Sequence, residues 1–400
     1  MARRTTGLAA LVSTILVLGA CSTGRTNPAS EQGGTSSSDG STAEIGSTLE
    51  LVGAVGPPSA HPLSRIDRDA GVNAVLSDGS VVWFFGDTGK RNLDGSLASF
   101  EIGSAAWAPA DDPLVTRDPR DAGRIEVFAA PTPEFPACPV HAPESGMWPL
   151  AAVTDPTDAN RVLLWMANIC LGSDRTVLDK GISVGEWLYD PADPPDGEPV
   201  AVTVLAQNLF PDARLGDAAV VVGDRIVVYG CEPPDSAGVV VLTPGECLAA
   251  SVDPDSVEEP AAYEVWDGKG WSADGQAAAM EMPPGSDRSG AVAPPGPVSV
   301  APTPDSGGYA MAYSPWPGFS PSVHLRVSRS PVGPWSPPHE VVLADCGTDS
   351  NGADACYAAN LQPLLNDVGR LGIGYYDRSL GPTENRGGFL VGTVEFGFHP

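Results

Sequence analysis

The chain has 400 residues and carries 50 Asp and Glu against 22 Lys and Arg, a formal charge of −28. Only Lys90, Lys180 and Lys269 are lysines and no basic cluster occurs, which excludes a phosphate-gripping nucleic-acid surface. With 46 glycines, 41 prolines and 42% hydrophobic residues, it reads as a loop-rich globular protein and not as a coiled coil, a collagen or a polytopic membrane protein.

The first predicted element is an export address. Arg3 and Arg4 precede an apolar run from Leu8 to Ala20 that is too short to span a bilayer comfortably. It ends in Leu18-Gly19-Ala20-Cys21, which resembles the lipobox of bacterial lipoprotein precursors. Residues 1–20 are therefore expected to be removed, with Cys21 lipidated and the protein held at the outer face of the cell membrane. Ser22 to about Ser47 is rich in Ser, Thr and Gly, so 21–48 reads as a flexible tether with a reach of about 25–30 Å.

The other cysteines are Cys138, Cys170, Cys231, Cys247, Cys346 and Cys356, an even number that suits an oxidising compartment. Proximity in the chain predicts Cys231–Cys247 and Cys346–Cys356, leaving Cys138–Cys170. A zinc site would need paired ligands, and the sequence has no C-x-x-C and no nearby His couple.

From residue 49 onward an apolar strand, a tight polar turn and a second Val- and aromatic-rich strand recur. The first hairpin is Val72 to Leu76, turn Asp78-Gly79, then Val81 to Phe85. The second runs from Trp148 to Val153 and returns from Val162 to Met166; the third joins Ala218–Val222 to Ile226–Tyr229 through Gly223-Asp224. A fourth links Val298–Val300 to Tyr309–Tyr313, and a fifth links Leu361–Leu365 to Leu371–Tyr376. Further strand candidates are Ser99–Gly103, Arg124–Ala129, Val200–Leu205, Val239–Leu242, Val323–Ser328 and Phe389–Phe396.

The second strands begin near residues 81, 162, 226, 309 and 371. Four strands plus loops at that spacing make one propeller blade. The expectation is an all-β, five-bladed β-propeller over residues 49–400. Two sandwiches could use the same strands but would not call for a hairpin at the head of every unit.

A hairpin's two free ends lie together, so residues entering the first strand and leaving the second collect at one mouth of a propeller. In the first hairpin those ends carry Asp69 and Asp87. With a three-residue loop Ser77-Asp78-Gly79, paired residues sum to 156 and the two acids face each other. With a two-residue Asp78-Gly79 turn they point to opposite faces unless a bulge, for instance at Gly71, intervenes. Facing carboxylates repel when both are ionised, so one holds a proton near neutrality. That is the acid and base pair of glycoside hydrolysis. The competing reading is an Asp that merely accepts backbone N–H groups at a strand end.

Arg68-Asp69-Ala70-Gly71, then Asp78-Gly79, then Trp83-Phe84-Phe85-Gly86-Asp87-Thr88 resemble the opening blade of the DUF4185 family. Its members are five-bladed propellers that include the endo-D-arabinanases of glycoside hydrolase family 183. Ser328-Arg329-Ser330-Pro331-Val332-Gly333-Pro334-Trp335-Ser336 and Gly374-Tyr375-Tyr376-Asp377-Arg378 are supporting pieces. The resemblance implies hydrolysis of arabinofuranosyl linkages in cell-envelope arabinan, with Asp69 and Asp87 as the catalytic pair.

Other polar and aromatic residues are expected at the same mouth as substrate contacts. Glu144 and Trp148 enter the second blade and Asn168 leaves it, while Arg214 and Asp217 flank the third. Trp316 is a second sugar-platform candidate; Asn360 and Gln362 enter the last blade, and Asp377 and Arg378 leave it. The five histidines lack metal-ligand spacing, so no cofactor is expected; a channel calcium ion has no EF-type loop to support it. No G-x-S-x-G, P-loop or dinucleotide fingerprint sits in a strand–helix context. The expected protein is a monomeric, lipid-anchored hydrolase of envelope polysaccharide, its rival a propeller that binds glycan or protein without catalysis.

Overall fold

The computed structural model describes residues 42–61, 65–92, 96–119, 125–174, 176–210, 215–231, 247–283, 298–304, 307–315, 318–348, 352–379 and 388–399. The export segment, Cys21, most of the tether, Val239–Leu242, Arg214 and Trp316 lie outside them. Among the described residues no helix is long and apolar enough to cross a membrane.

Two N-terminal strands, β1 (Thr42–Ile45) and β2 (Glu50–Ala54), precede five antiparallel sheets. The first sheet holds β3 (Ile66–Arg68), β4 (Val72–Val75), β5 (Val81–Arg91) and β6 (Leu97–Ala108). The second holds β7 (Glu144–Thr154), β8 (Arg161–Leu171), β9 (Val177–Leu188) and β10 (Thr203–Ala206). The third has β11 (Ala218–Val222), β12 (Arg225–Gly230), β13 (Leu248–Val252), β14 (Glu264–Trp266) and β15 (Trp271–Ser272). The fourth runs β16 (Ser299–Pro302), β17 (Tyr309–Tyr313), β18 (Ser322–Ser328) and β19 (His339–Val342). The fifth is β20 (Cys356–Leu361), β21 (Arg370–Asp377) and β22 (Phe389–His399). This is the five-bladed propeller that the hairpin repeat predicts.

The apolar runs follow from the architecture. A middle strand has a neighbouring blade on each face, so both faces are covered and alternation disappears. Val81 to Phe85, Val162 to Met166 and Ile226 to Tyr229 are all buried, with Trp83 and Trp165 among the largest enclosed side chains. The innermost strands instead surround an axial cavity of about 270 Å³ lined by residues such as Ala74, Ala152, Val220, Val300 and Leu361.

The ring closes through its N-terminus. Both β1 and β2 pair with β22, from Thr42↔His399 to Ala54↔Leu390, so the last blade takes its outer strands from the start of the chain. Between them Leu49 N and Val342 N exchange hydrogen bonds with Val342 O and Ser47 O, fastening the segment to the edge of the fourth blade. The sheet therefore begins at Thr42 and not at residue 49, as composition suggests; backbone pairing recruits a stretch too polar to announce itself. All three predicted disulfides are present, Cys138–Cys170, Cys231–Cys247 and Cys346–Cys356.

Two strand expectations fail. Leu361–Leu365 is not a strand: β20 ends at Leu361, and Pro363–Leu365 forms a 3-10 turn with proline at its start. Proline brings a fixed φ and no N–H, so it ends ladder pairing where the apolar pattern continues. Residues 125–129 of the Arg124–Ala129 candidate are irregular, although Ile125 and Phe128 are buried. Phe128 O accepts from Val202 N, and the side chains fill the core without entering a ladder.

Candidate active site

The register at the first hairpin is the three-residue-loop alternative. Val72 pairs with Phe84 and Val75 with Val81, and beyond the interruption Arg68 pairs with Thr88 and Ile66 with Lys90. Every pair sums to 156. The innermost strand breaks only at Asp69 to Gly71, where Ala70 takes a φ of 49°. That left-handed conformation costs a non-glycine residue about 1–2 kcal/mol. Asp69 N donates to Asp87 O at 3.1 Å, and Gly86 N donates to Asp69 O at 2.8 Å. The two acids are thus stitched together through their own backbones.

Regular pairing resumes at Arg68 and Thr88, so Asp67 and Arg68 face opposite ways, while Asp69 lies in the interruption against both Gly86 and Asp87. Arg68 is buried, forks onto Asp118, donates to Ser104 Oγ at 3.1 Å and lies 4.6 Å over the Phe85 ring. Ser104 bonds Thr88, which donates to Gly86 O at 3.1 Å, so this buried network braces the backbone just before Asp87.

Each carboxylate is held from a different neighbouring blade. Tyr357 on β20 donates to Asp69 Oδ2 at 2.7 Å, and Trp148 Nε1 on β7 donates to Asp87 Oδ1 at 2.7 Å. Asp69 Oδ1 occupies the space where a side chain at Gly86 would sit. Asp67 accepts from Tyr376 at 2.9 Å and pairs with Arg91 at 3.0 Å. The rings of Phe319, Tyr357 and Tyr376 meet edge to face at 5.0 Å each, and Arg378 lies 4.3 Å over Phe319.

These surroundings separate the two acids. Burial, followed by the charge of Asp87 and then that of Asp67, pushes the Asp69 carboxyl up to about 8, against the pull of the Tyr357 hydrogen bond. Burial pushes Asp87 up to about 6, with the Trp148 hydrogen bond restraining it. Burial also raises both tyrosine hydroxyls well above their usual range, so Tyr357 and Tyr376 stay neutral donors. Near pH 7 one carboxyl carries a proton and its partner a charge.

Of the predicted contacts, Trp148 and Arg378 join this mouth. Trp148 does so by its N–H, not only as a ring face, and Arg378 is exposed. Glu144 is exposed at the start of β7, four residues before Trp148. Five others are corrections, because they are spent inside the fold. Asn168 is fully buried, its Oδ1 accepting from Ser183 Oγ and Gln207 Nε2. Buried Asp217 accepts from Cys231 N at 2.9 Å, and buried Asp377 accepts from Ser379 N and Gly347 N. Asn360 donates to Gly71 O at 2.8 Å, and Gln362 donates to the same oxygen at 3.1 Å and bonds Asn73 across the seam. A short polar side chain at a strand end satisfies backbone groups there before any ligand does. His324 is a core residue, edge-on to Tyr313.

Tyr357, Phe319, Asp67 and Arg91 were not singled out by sequence. Asp67 was within reach, two residues before Asp69 in the chain. Among the described residues no group of three or more His, Cys, Asp or Glu side chains could hold a metal ion.

No family model matches the chain, and neither does any curated protein. Solved structures do resemble it. A candidate hydrolase from Bacteroides ovatus ATCC 8483 superposes with a TM-score of 0.55 at 14% identity, over 82% of this chain and 85% of that one. A family 117 glycoside hydrolase of the marine bacterium Zobellia galactanivorans gives 0.45 at 12% identity, over 88% and 91%. A thermostable family-43 glycoside hydrolase gives 0.42 at 12% identity, over 83% and 89%. The Bacteroides structure shares the fold of this chain, the five-bladed β-propeller.

Proposed function

We propose that this chain is an exported glycoside hydrolase that cleaves arabinofuranosyl linkages in cell-envelope arabinan. The observation that carries the proposal is the pair Asp69 and Asp87, joined through their backbones, with burial raising both carboxyls above the usual range. Asp69 gives its proton to the glycosidic oxygen as the bond to the anomeric carbon breaks and its electron pair passes to that oxygen. Asp87 is the partner, taking a proton from attacking water in an inverting reaction or bonding the anomeric carbon in a retaining one. The Phe319 ring, 39% exposed, and Arg378 offer an apolar face and a hydroxyl donor beside the pair.

The choice of arabinan rests on the resemblance of the Arg68–Gly71 and Trp83–Thr88 segments to the arabinanase-containing family. Export and lipidation at Cys21 rest on the signal and lipobox. The first strand after the tether, β1, pairs at the His399 end of β22, whereas the Phe389 end lies against Gly71 by the mouth.

The test is release of oligosaccharides from arabinogalactan by the wild type, Asp69→Asn and Asp87→Asn. Each variant should fold normally and lose product by about 10³-fold or more. Cleavage at the wild-type rate by both would overturn the assignment, and glycan binding without cleavage by the wild type would favour a binding module.

A further inference from the structure

We propose that Tyr357 is the positioning residue of the general acid: by donating to Oδ2 of Asp69 it leaves Oδ1 to carry the proton handed to the leaving oxygen. The acid's role rests on the glycosidase reading above; the hold on the carboxyl does not.

The hydroxyl lies 2.7 Å from Oδ2, and among the described residues it has no other acceptor. The phenol is half-buried against the Phe319 and Tyr376 rings, and its hydrogen is directed at the carboxyl. Oδ2 is thereby committed as an acceptor. Oδ1 sits over Gly86, beside Asp87, in room that any larger residue would fill. The proton is then on the oxygen next to the ionised partner, where a substrate bound between the two carboxyls would meet it.

The strand is built to deliver this hydroxyl. In a regular strand residues 357 and 360 face opposite ways, being an odd number apart. Here β20 carries a bulge, with Tyr357 opposite Tyr376 but Asn360 opposite Gly374, and Ala358 takes a φ of 53°. The extra residue turns Tyr357 and Asn360 toward the same neighbour. They grip blade one on either side of the break, at the Asp69 carboxyl and at Gly71 O. The Tyr357 ring is wedged between Phe319 and Tyr376, and Cys356 beside it is tied to Cys346. The neighbouring Tyr376–Asp67 bond is an internal control, because Asp67 is also held by Arg91.

The test follows the carboxyl directly. In the full chain labelled with 13C at the aspartate carboxyls, Asp69→Asn identifies the Asp69 signal. Tyr357→Phe should raise its titration midpoint by about 0.5–1 pH unit, since a donor to the charged form is lost. The alkaline limb of hydrolysis should move with it, kcat should fall about 10-fold, and KM should stay within about twofold. Tyr376→Phe should move Asp69 by less than half as much. Incorporation of 3-fluorotyrosine at 357, a stronger donor of the same shape, should shift the midpoint the other way and serves if the Phe variant is unstable. An Asp69 titration that is the same in these variants overturns the positioning role alone. A wild type inert on every furanoside overturns the acid's role together with the glycosidase reading.

Discussion

Asp69 and Asp87 are joined through their backbones, Asp69 N donating to Asp87 O at 3.1 Å, yet their carboxylates are held by donors from opposite sides, Tyr357 of the last blade and Trp148 of the second. The ring must close for both donors to be in place, because Tyr357 is separated from Asp69 by 288 residues of chain. The asymmetry is what gives two chemically identical side chains different work. Burial raises both carboxyls; the Tyr357 hydroxyl restrains Asp69, which also has Asp67 nearby, and an indole N–H restrains Asp87.

Removing that indole N–H changes the base. Trp148→Phe keeps an aromatic ring but deprives the Asp87 carboxylate of its donor, so its pKa should rise further above the usual range. The acid limb of the pH profile should move up by about 0.5–1 unit with the alkaline limb unmoved. Initial rates across pH 4–10 on one substrate check it.

The pair also carries a stability signature. Asp69 has a native pKa raised above its unfolded value, so the native state binds the extra proton between about pH 4 and 8. Its contribution is fully present below pH 4 and is lost as pH rises through about 8. Asp69→Asn removes the penalty of ionising beside Asp87. Its melting temperature should exceed that of the wild type by about 2–5 °C at pH 9, with the difference shrinking toward pH 4. Calorimetry at both pH values measures the gap.

Gly86 is where backbone freedom meets chemistry. A methyl group at 86 would collide with Asp69 Oδ1 and press on the Ala70 side chain at 3.3 Å. Gly86→Ala should cut kcat about 10²-fold while the protein still melts cooperatively, because displacement of a reacting group costs far more in rate than in stability. Kinetics and thermal melts on one preparation separate the two.

Behind the site, the Arg68–Asp118 pair is almost fully enclosed, at 2% and 1% exposure. Removing one partner strands a buried charge, so Arg68→Met should cost about 3–5 kcal/mol. Adding Asp118→Asn should recover part of that loss. Urea titrations of the single and double variants provide the values.

The propeller was legible because its middle strands are covered on both faces, which writes Val81–Phe85, Val162–Met166 and Ile226–Tyr229 as apolar runs. Asp69 and Asp87 were legible as candidates because a short turn near Asp78-Gly79 brings the hairpin's two ends together, but the sequence left two registers open and the backbone pairing chose between them. Tyr357 was not, since it reaches its partner through ring closure and sits on β20, whose Tyr-Ala-Ala-Asn stretch lacks a strand pattern and whose end is masked by the apolar Pro363–Leu365 turn. Asp217, Asn360 and Asp377 misled for a shared reason. Near a strand end a carboxylate or amide looks the same in sequence whether it will meet a sugar or satisfy a backbone N–H or C=O, and only the closed ring decides.

The pH dependence of kcat/KM on arabinogalactan tests the central claim most directly. The account predicts a bell with limbs near 6 and 8, reporting the coupled pair, and loss of the limbs' separation when either aspartate is changed. A rate that climbs or stays level from pH 6 through pH 10 would contradict it.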